Sequence, residues 1–349
     1  MLQNVLGAFG SALNGISTII LATTFGFGAF PSSLLFIVGA IGLLFTGQVS
    51  PVMLQSELIV LAGSLGRNRN ERLCICVYAG ILTTLCGVTG IIGSVVDFVG
   101  DDILFGVMAG VGIMLTGVSI NMIKEDLKLG LISLVCGVST YLATRSVIYT
   151  MMAAILIPGI LWNIFWKKGE DVQEESSDAE RFQMVRLSFN PVILRGVLAI
   201  STLLIGGIIS GAAINASLAG SEVNFNSVTW YTGLGTTLSS LFGGAPGGII
   251  VAGTASAPDP LLSGVLLMIF MTLLMLLKLI GPIKKVLPLN CVSGLLFVMG
   301  AMVIFPENAL NALSGSPLVG GVTMLTAAMV DPFSGMCAGL LVRYILMLL

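Results

Sequence analysis

The fold of this chain is restricted most by its apolar stretches, which recur along its whole length and are separated by short polar connections. A stretch of about 20 apolar residues can cross the hydrocarbon layer of a membrane as a helix. Of the 349 residues, 9% are charged, whereas a soluble domain carries about 25%. The sequence therefore predicts an all-α polytopic membrane protein that is surrounded by membrane lipid.

About fourteen spans can be placed along the chain. They cover residues 2–22, 31–46, 50–65, 73–97, 103–122, 128–143 and 146–166, and then 192–217, 227–241, 245–257, 261–279, 288–304, 317–330 and 333–349. Between the two groups lies a long polar tract, which holds ten of the chain's charged residues, of which 15 are basic and 17 acidic in the whole sequence. An odd number of spans in each half turns the second half upside down in the membrane. We therefore predict a first seven-span repeat over 1–166, a charged linker over 167–190 and a second, inverted repeat over 191–349.

The third and tenth spans contain residues that interrupt helices. Gly47–Leu65 has Pro51 near its start, and Leu241–Asp259 carries Pro246 among several glycines. Proline removes a backbone donor, and within a membrane irregular backbone persists only when it is buried in protein or lines a wet cavity. Two broken spans in corresponding halves are typical of the solute site of a secondary transporter.

The first broken segment contains an ionisable residue, Glu57, beside Gln55 and Ser56. A charge at membrane depth costs about 2.5–3.5 kcal/mol even on lenient scales, so such residues usually mark a pathway or a proton site. Burial favours the neutral form of a carboxyl group. We therefore predict that Glu57 couples transport to a proton or another cation, while a wetted, structural glutamate is the alternative.

The second broken segment has no acidic residue before Asp259 and offers backbone amides and hydroxyl groups instead. Gly247, Gly248 and Thr254 supply them. A half-helix that begins near Pro246 would direct its positive end toward a solute. A small anion or a carbonyl-rich heterocycle suits such a site.

Basic residues indicate the orientation of the chain in the membrane. Two of the fifteen, Arg145 and Arg343, lie in even-numbered loops or at the termini, and the others lie in odd-numbered loops. The positive-inside rule then places the linker in the cytoplasm and both termini outside.

The composition argues against several other classes of protein. The chain has no histidine, and its six cysteines lie in apolar sequence without the paired spacing of a zinc site. We therefore predict no enzyme activity, no metal, no cofactor and no nucleic-acid partner. Within the spans, small residues let helices approach closely, and we predict helix packing at Gly106, Gly110, Gly112 and Gly117.

Several motifs in both halves resemble those of the nucleobase–ascorbate transporters, also called xanthine/uracil permeases. MLQNVLGAFG is similar to the family's Leu-Gln-His…Phe-Gly-Ala opening, and SPVMLQSE is similar to its Pro-Val-x-Leu-Gly-Ser-Ser in the third span. GLGTTLSSLFGGAP resembles the Gly-x-x-Thr-x-x-x-x-x-Phe-Gly-x-x-Pro that precedes the tenth span, and LKLIGPIKKVLPLNCVSGLLFVMGAM resembles the passage into the twelfth. The motifs occur in the family's order, although its span-eight glutamate has no counterpart between Pro191 and Gly220.

The resemblance implies a fourteen-span fold with a core and a gate domain, often dimeric. We also predict that the chain lies in the plasma membrane, as a homodimer. The resemblance implies short strands near Val52–Leu54 and Gly247–Ile249, with termini in the cytoplasm, opposite to the orientation that the basic residues favour. By the same resemblance, substrate would lie against Gln55, Ser56, Glu57, Leu58, Gly247, Gly248 and Ala252.

The expected function is thus a permease for a small polar or anionic, nucleobase-like solute, coupled to a proton or a cation. Two alternatives stay open. One is an anion transporter of the sulfate type, which shares the fold, and the other is a membrane scaffold or partner subunit that transports nothing.

Overall fold

A computed structural model of the chain describes residues 2–145, 147–165, 181–250, 253–280 and 289–348. Within these residues, six helices are long and apolar enough to cross a membrane, and shorter apolar helices accompany them. The prediction of an all-α polytopic membrane protein is therefore confirmed.

The elements of the first half follow the predicted spans. They are α1 (Leu2–Thr24), α2 (Ala29–Thr46), β1 (Val52–Leu54), α3 (Ser56–Leu65), α4 (Arg69–Thr89), α5 (Ile92–Val99), α6 (Asp101–Glu125), α7 (Leu127–Thr144) and α8 (Val147–Phe165).

The second half begins after the linker. Its elements are α9 (Pro191–Ala219), α10 (Phe225–Leu241), β2 (Gly247–Ile249), a 3₁₀ turn (Gly253–Ser256), α11 (Pro260–Leu276), a second 3₁₀ turn (Leu289–Val292), α12 (Ser293–Phe297), a π-helical turn (Val298–Ile304), α13 (Phe305–Gly315), α14 (Pro317–Met329) and α15 (Pro332–Leu348).

The predicted end of the fourth span at residue 97 is wrong. Helix α4 ends at Thr89 because Gly90 adopts a left-handed conformation with φ 75°, and its N–H donates to the carbonyl oxygen of Gly87. A left-handed glycine is a common helix terminator because it has no Cβ to clash. The residues beyond Gly90 form the separate short helix α5.

The twelfth span also extends beyond its predicted end at residue 304. An apolar helical segment runs from Asn290 to Gly315, although Pro306 lies inside it. The π-helical turn immediately precedes this proline. Local π adjustments let a membrane helix pass a residue that lacks a backbone N–H, so the helix continues where the sequence suggested a stop.

Contacts between Cα atoms divide the chain into two compact units, each of which takes residues from both halves. Unit 1 comprises Met1–Gly93 and Gly169–Lys285, and unit 2 comprises Ser94–Lys168 and Val286–Leu349. The two units differ from the predicted repeats, because each repeat is one continuous half of the chain whereas each unit combines parts of both halves. The predicted boundaries at 166 and 190 therefore stay a prediction.

Unit 1 contains a tightly packed pair of helices, α4 and α10. A Cβ on Gly80 would lie 2.7 Å from the backbone nitrogen of Thr237, and one on Gly233 would lie 2.7 Å from Oγ1 of Thr84. The two backbones thus approach too closely for larger residues at these positions. In lipid, such packing of small residues is a main source of helix association.

Unit 2 uses the same principle on helix α6. A Cβ on Gly106 would lie 3.0 Å from the carbonyl oxygen of Gly320, and Gly110 and Gly112 approach their neighbours similarly. The predicted packing role of these three glycines is confirmed. It is wrong for Gly117, because no atom of the described residues would lie within 4 Å of a Cβ there.

Candidate functional site

The two broken spans meet in unit 1 as a pair of short antiparallel strands. In the register of β1 and β2, Val52 lies opposite Ile249, Met53 opposite Gly248 and Leu54 opposite Gly247. All six residues are buried. Backbone groups that a helix would have satisfied internally are therefore paired between the two halves of the chain, as burial in a membrane requires. The strand ranges implied by the family resemblance are confirmed.

The half-helix that was predicted to begin near Pro246 is not present. The residues after Pro246 form β2, and the surrounding backbone groups bond to hydroxyl groups of neighbouring helices. The backbone N–H of Ala245 donates to Oγ of Ser32 at 2.8 Å, and Oγ1 of Thr236 donates to the carbonyl oxygen of Gly247 at 2.8 Å. These partners let the chain stay extended. The helix that begins next to the paired strands is α3, in the other broken span.

The glycines of β2 leave room for their neighbours. A Cβ on Gly248 would overlap with the side-chain amide of Gln55, and one on Gly247 would lie 2.8 Å from the carbonyl oxygen of Met53. Both positions therefore need glycine for packing. Their predicted role in substrate binding stays a prediction.

Gln55 connects the two broken spans. Its Nε2 donates to the carbonyl oxygen of Ile249 at 2.7 Å, and its side chain is 6% exposed. On α9, a Cβ on Gly211 would lie 3.0 Å from the same carbonyl oxygen. Gln55 therefore has a structural partner in this conformation, and its role as a ligand stays a prediction.

Helix α3 begins directly after Gln55 and carries the acidic residue of the site in its first turn. Oγ of Ser56 donates to Oε2 of Glu57 at 2.9 Å, and the Gln55 side chain makes no capping hydrogen bond to this helix. Ser56 and Leu58 are buried, whereas Glu57 is partly exposed. The start of a helix carries a partial positive charge and backbone N–H groups without intrahelical partners. This end of α3 can therefore interact with a negatively charged group.

Two buried hydroxyl groups lie near the 3₁₀ turn that follows β2. Oγ1 of Thr254 and Oγ of Ser11 on α1 have no hydrogen-bond partner among the described residues. A Cβ on Gly253 would lie 3.5 Å from Oγ of Ser11, so α1 packs against this turn. Leaving a buried hydroxyl unsatisfied costs about 1–3 kcal/mol. Such groups favour the presence of a polar solute or water. The sequence predicted Thr254 and missed Ser11, because a serine in an apolar span carries no distinguishing signal.

The charges of the site are few. Glu57 is the ionisable residue of Gly47–Leu65, and Leu241–Asp259 has none before its last residue. Ala252 lies outside the described residues. Elsewhere in the described residues, no group of three acidic or cysteine side chains could hold a metal ion. The solute would therefore be held by amide and hydroxyl groups close to one carboxyl group.

Comparisons with known proteins were made by sequence and by structure. A scan against protein-family models and a search of curated proteins found no match. Among solved structures, the transmembrane domain of a cyanobacterium bicarbonate transporter, BicA, matches with a TM-score of 0.70 and 15% identity over 96% of this chain and 97% of that chain.

SLC26A9 is similar as well. Its overall structure matches with a TM-score of 0.70 and 13% identity, over 99% of this chain and 65% of that chain. The murine Slc26a9 anion transporter in the inward-facing state matches with the same score and identity, over 100% of this chain and 68% of that chain.

The chain has the fold of these anion transporters. Its architecture is therefore two inverted seven-span repeats, with extended segments in spans three and ten. The fold is also that of the uracil transporters, whereas membership in the nucleobase–ascorbate family is not shown.

Proposed function

We propose that this chain is a secondary active transporter of a small anion, which binds beside the paired strands of unit 1. One observation carries the proposal: the two helix-breaking spans, one from each half, pair with each other and bring polar groups together in a buried setting. The structures that share the fold include proteins described as anion or bicarbonate transporters, which supports an anion as the solute.

The chemistry of the site indicates how an anion would be held. Neither broken segment contains a lysine or an arginine, so fixed positive charge would come from the first turn of α3. The hydroxyl groups of Thr254 and Ser11 would add hydrogen-bond donors. Backbone amides at a helix start bind anions without any basic side chain.

The charge state of Glu57 would couple anion binding to proton binding. An ionised carboxylate in the first turn of α3 would repel an anion bound at the same helix end, and the repulsion is strong where water is scarce. Protonation of Glu57 removes the repulsion. We therefore propose that anion and proton bind together, with Glu57 as the proton-coupling residue and Gln55, Ser56, Leu58, Gly247, Gly248, Ala252 and Thr254 around the solute.

The proposed transport motion follows from the location of the site. Both strands belong to unit 1, so an elevator-like or rocking motion of this unit would carry the solute. We also propose that the chain forms a homodimer in the plasma membrane and that its linker lies in the cytoplasm.

Uptake into liposomes that contain the purified chain tests the function. We expect uptake of bicarbonate, chloride or sulfate that increases severalfold when the outside is made acidic. In Glu57→Gln this dependence on the proton gradient should disappear, because the side chain is permanently neutral. Glu307→Gln is a matched control, since Glu307 is an exposed residue of unit 2. Proton-driven uptake that survives in Glu57→Gln would remove Glu57 from the mechanism.

A second candidate solute is a nucleobase. The absence of basic side chains from both broken segments and the motifs described above favour a neutral heterocycle. Competition distinguishes the two: uracil or xanthine in excess should leave anion uptake unchanged if the solute is an anion. Inhibition by these bases would favour the nucleobase. If no solute binds or enters, the chain is a scaffold or partner subunit.

A further inference from the structure

Residues 181–190, which we call the strap, form an extended segment without helix or strand. Hydrogen bonds fix the strap to the rest of unit 1. The backbone N–H groups of Gln183 and Val185 donate to the carbonyl oxygens of Phe242 and Leu241, at 3.1 and 2.9 Å. Val185 is buried, whereas its neighbours along the strap are exposed. The predicted solvated linker thus ends in a segment with a defined position.

The far end of the strap is fixed as well. Nδ2 of Asn70 donates to the carbonyl oxygen of Arg186 at 3.0 Å, and Nδ2 of Asn190 donates to Oε1 of Glu71 at 3.1 Å. Oδ1 of Asn190 accepts the backbone N–H of Ile193 and so caps the start of α9.

The partners of the strap place it at one end of the membrane-spanning helices. It contacts the first residues of α4, it leads into α9, and Phe182 packs on Phe30 in the first turn of α2, with 4.8 Å between ring centroids. All three helices are candidate membrane spans. Because a span begins where the hydrocarbon layer ends, the strap lies at the level of the lipid headgroups.

The strap exposes apolar and basic side chains together. The exposed fractions of its large apolar residues are 46% for Phe182, 70% for Met184, 52% for Leu187 and 66% for Phe189. Arg181, directly before Phe182, and Arg186, between Val185 and Leu187, are exposed as well. Exposed apolar and aromatic side chains together with arginines are typical of segments that lie in a membrane interface.

Other basic side chains lie close to the strap. Nη1 of Arg69 is 3.4 Å from Oε1 of Gln183, and Nζ of Lys278 lies 5.6 Å from the centroid of the Phe30 ring. The acidic residue at this end, Glu71, already accepts hydrogen bonds from the backbone N–H of Arg67 and from Asn190. Within the part of the chain that the structure describes, basic side chains therefore outnumber acidic ones around the strap.

We propose that the strap binds anionic phospholipids. Its phenylalanine, methionine and leucine side chains enter the outer part of the acyl layer, and Arg181 and Arg186 bind headgroup phosphates. Basic residues near an anionic membrane surface are attracted to it electrostatically. The basic side of the chain is also the side that the positive-inside rule assigns to the cytoplasmic leaflet, which is rich in anionic lipid.

The alternative occupant is the acidic stretch that precedes the strap in the sequence. It contains Glu170, Asp171, Glu174, Glu175, Asp178 and Glu180. These carboxylates could pair with the two arginines, but they would leave four large apolar side chains in water. A phospholipid satisfies the arginines and the apolar side chains together, which is why we favour it.

Native mass spectrometry of the full chain with phosphatidylglycerol or phosphatidylcholine tests the proposal. We expect the chain to retain phosphatidylglycerol preferentially, and the double variant Arg181→Gln/Arg186→Gln to retain severalfold less. The matched control Lys124→Gln/Lys128→Gln removes two exposed basic residues of unit 2 and should behave like the unaltered chain. Inorganic phosphate at millimolar concentration should not displace the lipid.

Three outcomes would overturn the proposal. The first is equal retention of the two lipids, and the second is an equal loss in the strap variant and the control. The third is displacement by inorganic phosphate, which would indicate a free-anion site. If the acidic stretch occupied the arginines instead, the strap variant would melt at a lower temperature in detergent without lipid and retain phosphatidylglycerol as before. None of these measurements depends on which solute is transported.

Discussion

Two buried threonines near β2 differ in whether their hydroxyl groups are hydrogen-bonded. Thr236 is buried, and its Oγ1 bonds both to the carbonyl oxygen and to the backbone N–H of Gly247, at 2.8 and 3.2 Å. Thr254 is equally buried, and its hydroxyl has no partner among the described residues. One hydroxyl therefore supports the strand, whereas we propose that the other binds the solute.

Replacing each threonine by valine, which has nearly the same shape, separates these roles. We expect Thr254→Val to keep or raise the melting temperature, because it removes an unsatisfied buried group, and to weaken solute binding severalfold. We expect Thr236→Val to lower the free energy of unfolding by about 1–3 kcal/mol, because it leaves buried backbone groups unpaired. Thermal unfolding in detergent, with and without the anion, measures both effects. A strongly destabilised Thr254→Val would show that its hydroxyl is structural.

At the scale of elements, the pairing of β1 with β2 determines the geometry of the site. The strands are three residues each, and the hydrogen bond from Gln55 to Ile249 adds a side-chain contact across the same pair. An isolated two-stranded ribbon is marginal in water. Here the ribbon is surrounded by hydroxyl groups of α2 and α10 and by glycines of α9. These contacts stabilise the strands although they are short.

Disulfide formation tests the register. Directly opposed residues of antiparallel strands have Cα atoms about 4.5–5.5 Å apart, which suits a disulfide. We therefore expect Val52→Cys/Ile249→Cys to cross-link on mild oxidation, as detected by mass spectrometry of peptides. The offset pair Leu54→Cys/Ile249→Cys is the control and should cross-link far less. Preferential linkage of the offset pair would contradict the register.

At the scale of the whole molecule, the distribution of basic residues governs insertion. Arg67 lies in the loop before α4, and Arg69 and Arg72 lie at the start of that helix, whereas the loop before α10 contains the acidic Glu222. Basic loops remain on the cytoplasmic side. The orientation predicted from the charges is therefore opposite to the one implied by the family resemblance.

Labelling of intact cells with a membrane-impermeant maleimide decides between the two orientations. In a Cys337→Ser background, which removes an exposed cysteine, we expect Ser221→Cys to be labelled from outside. We expect Arg67→Cys to be labelled after lysis only. Both introduced cysteines are at exposed positions, so access is limited by the membrane. The reverse pattern would establish the orientation of the family.

The sequence by itself determined the features that depend on short stretches of chain. Hydropathy located the spans because each helix has to match the thickness of the membrane with its own residues. Proline and glycine located the two broken spans, because their effects on the backbone are local. Glu57 and Thr254 could be singled out for the same reason: a polar residue in an apolar segment is visible without knowledge of its neighbours.

Tertiary structure decided everything that depends on residues far apart in the chain. Gln55 and Ile249 are separated by 194 positions, and neither residue indicates that their side-chain and backbone groups will meet. The same holds for the unsatisfied hydroxyl of Ser11 and for the attachment of the strap to unit 1. Local sequence carries a residue's preference for helix or strand, whereas its hydrogen-bond partner is determined by the packing of helices from both halves. For this reason the two broken spans could be located from the sequence, and the hydrogen-bond partner of each polar group in them could not.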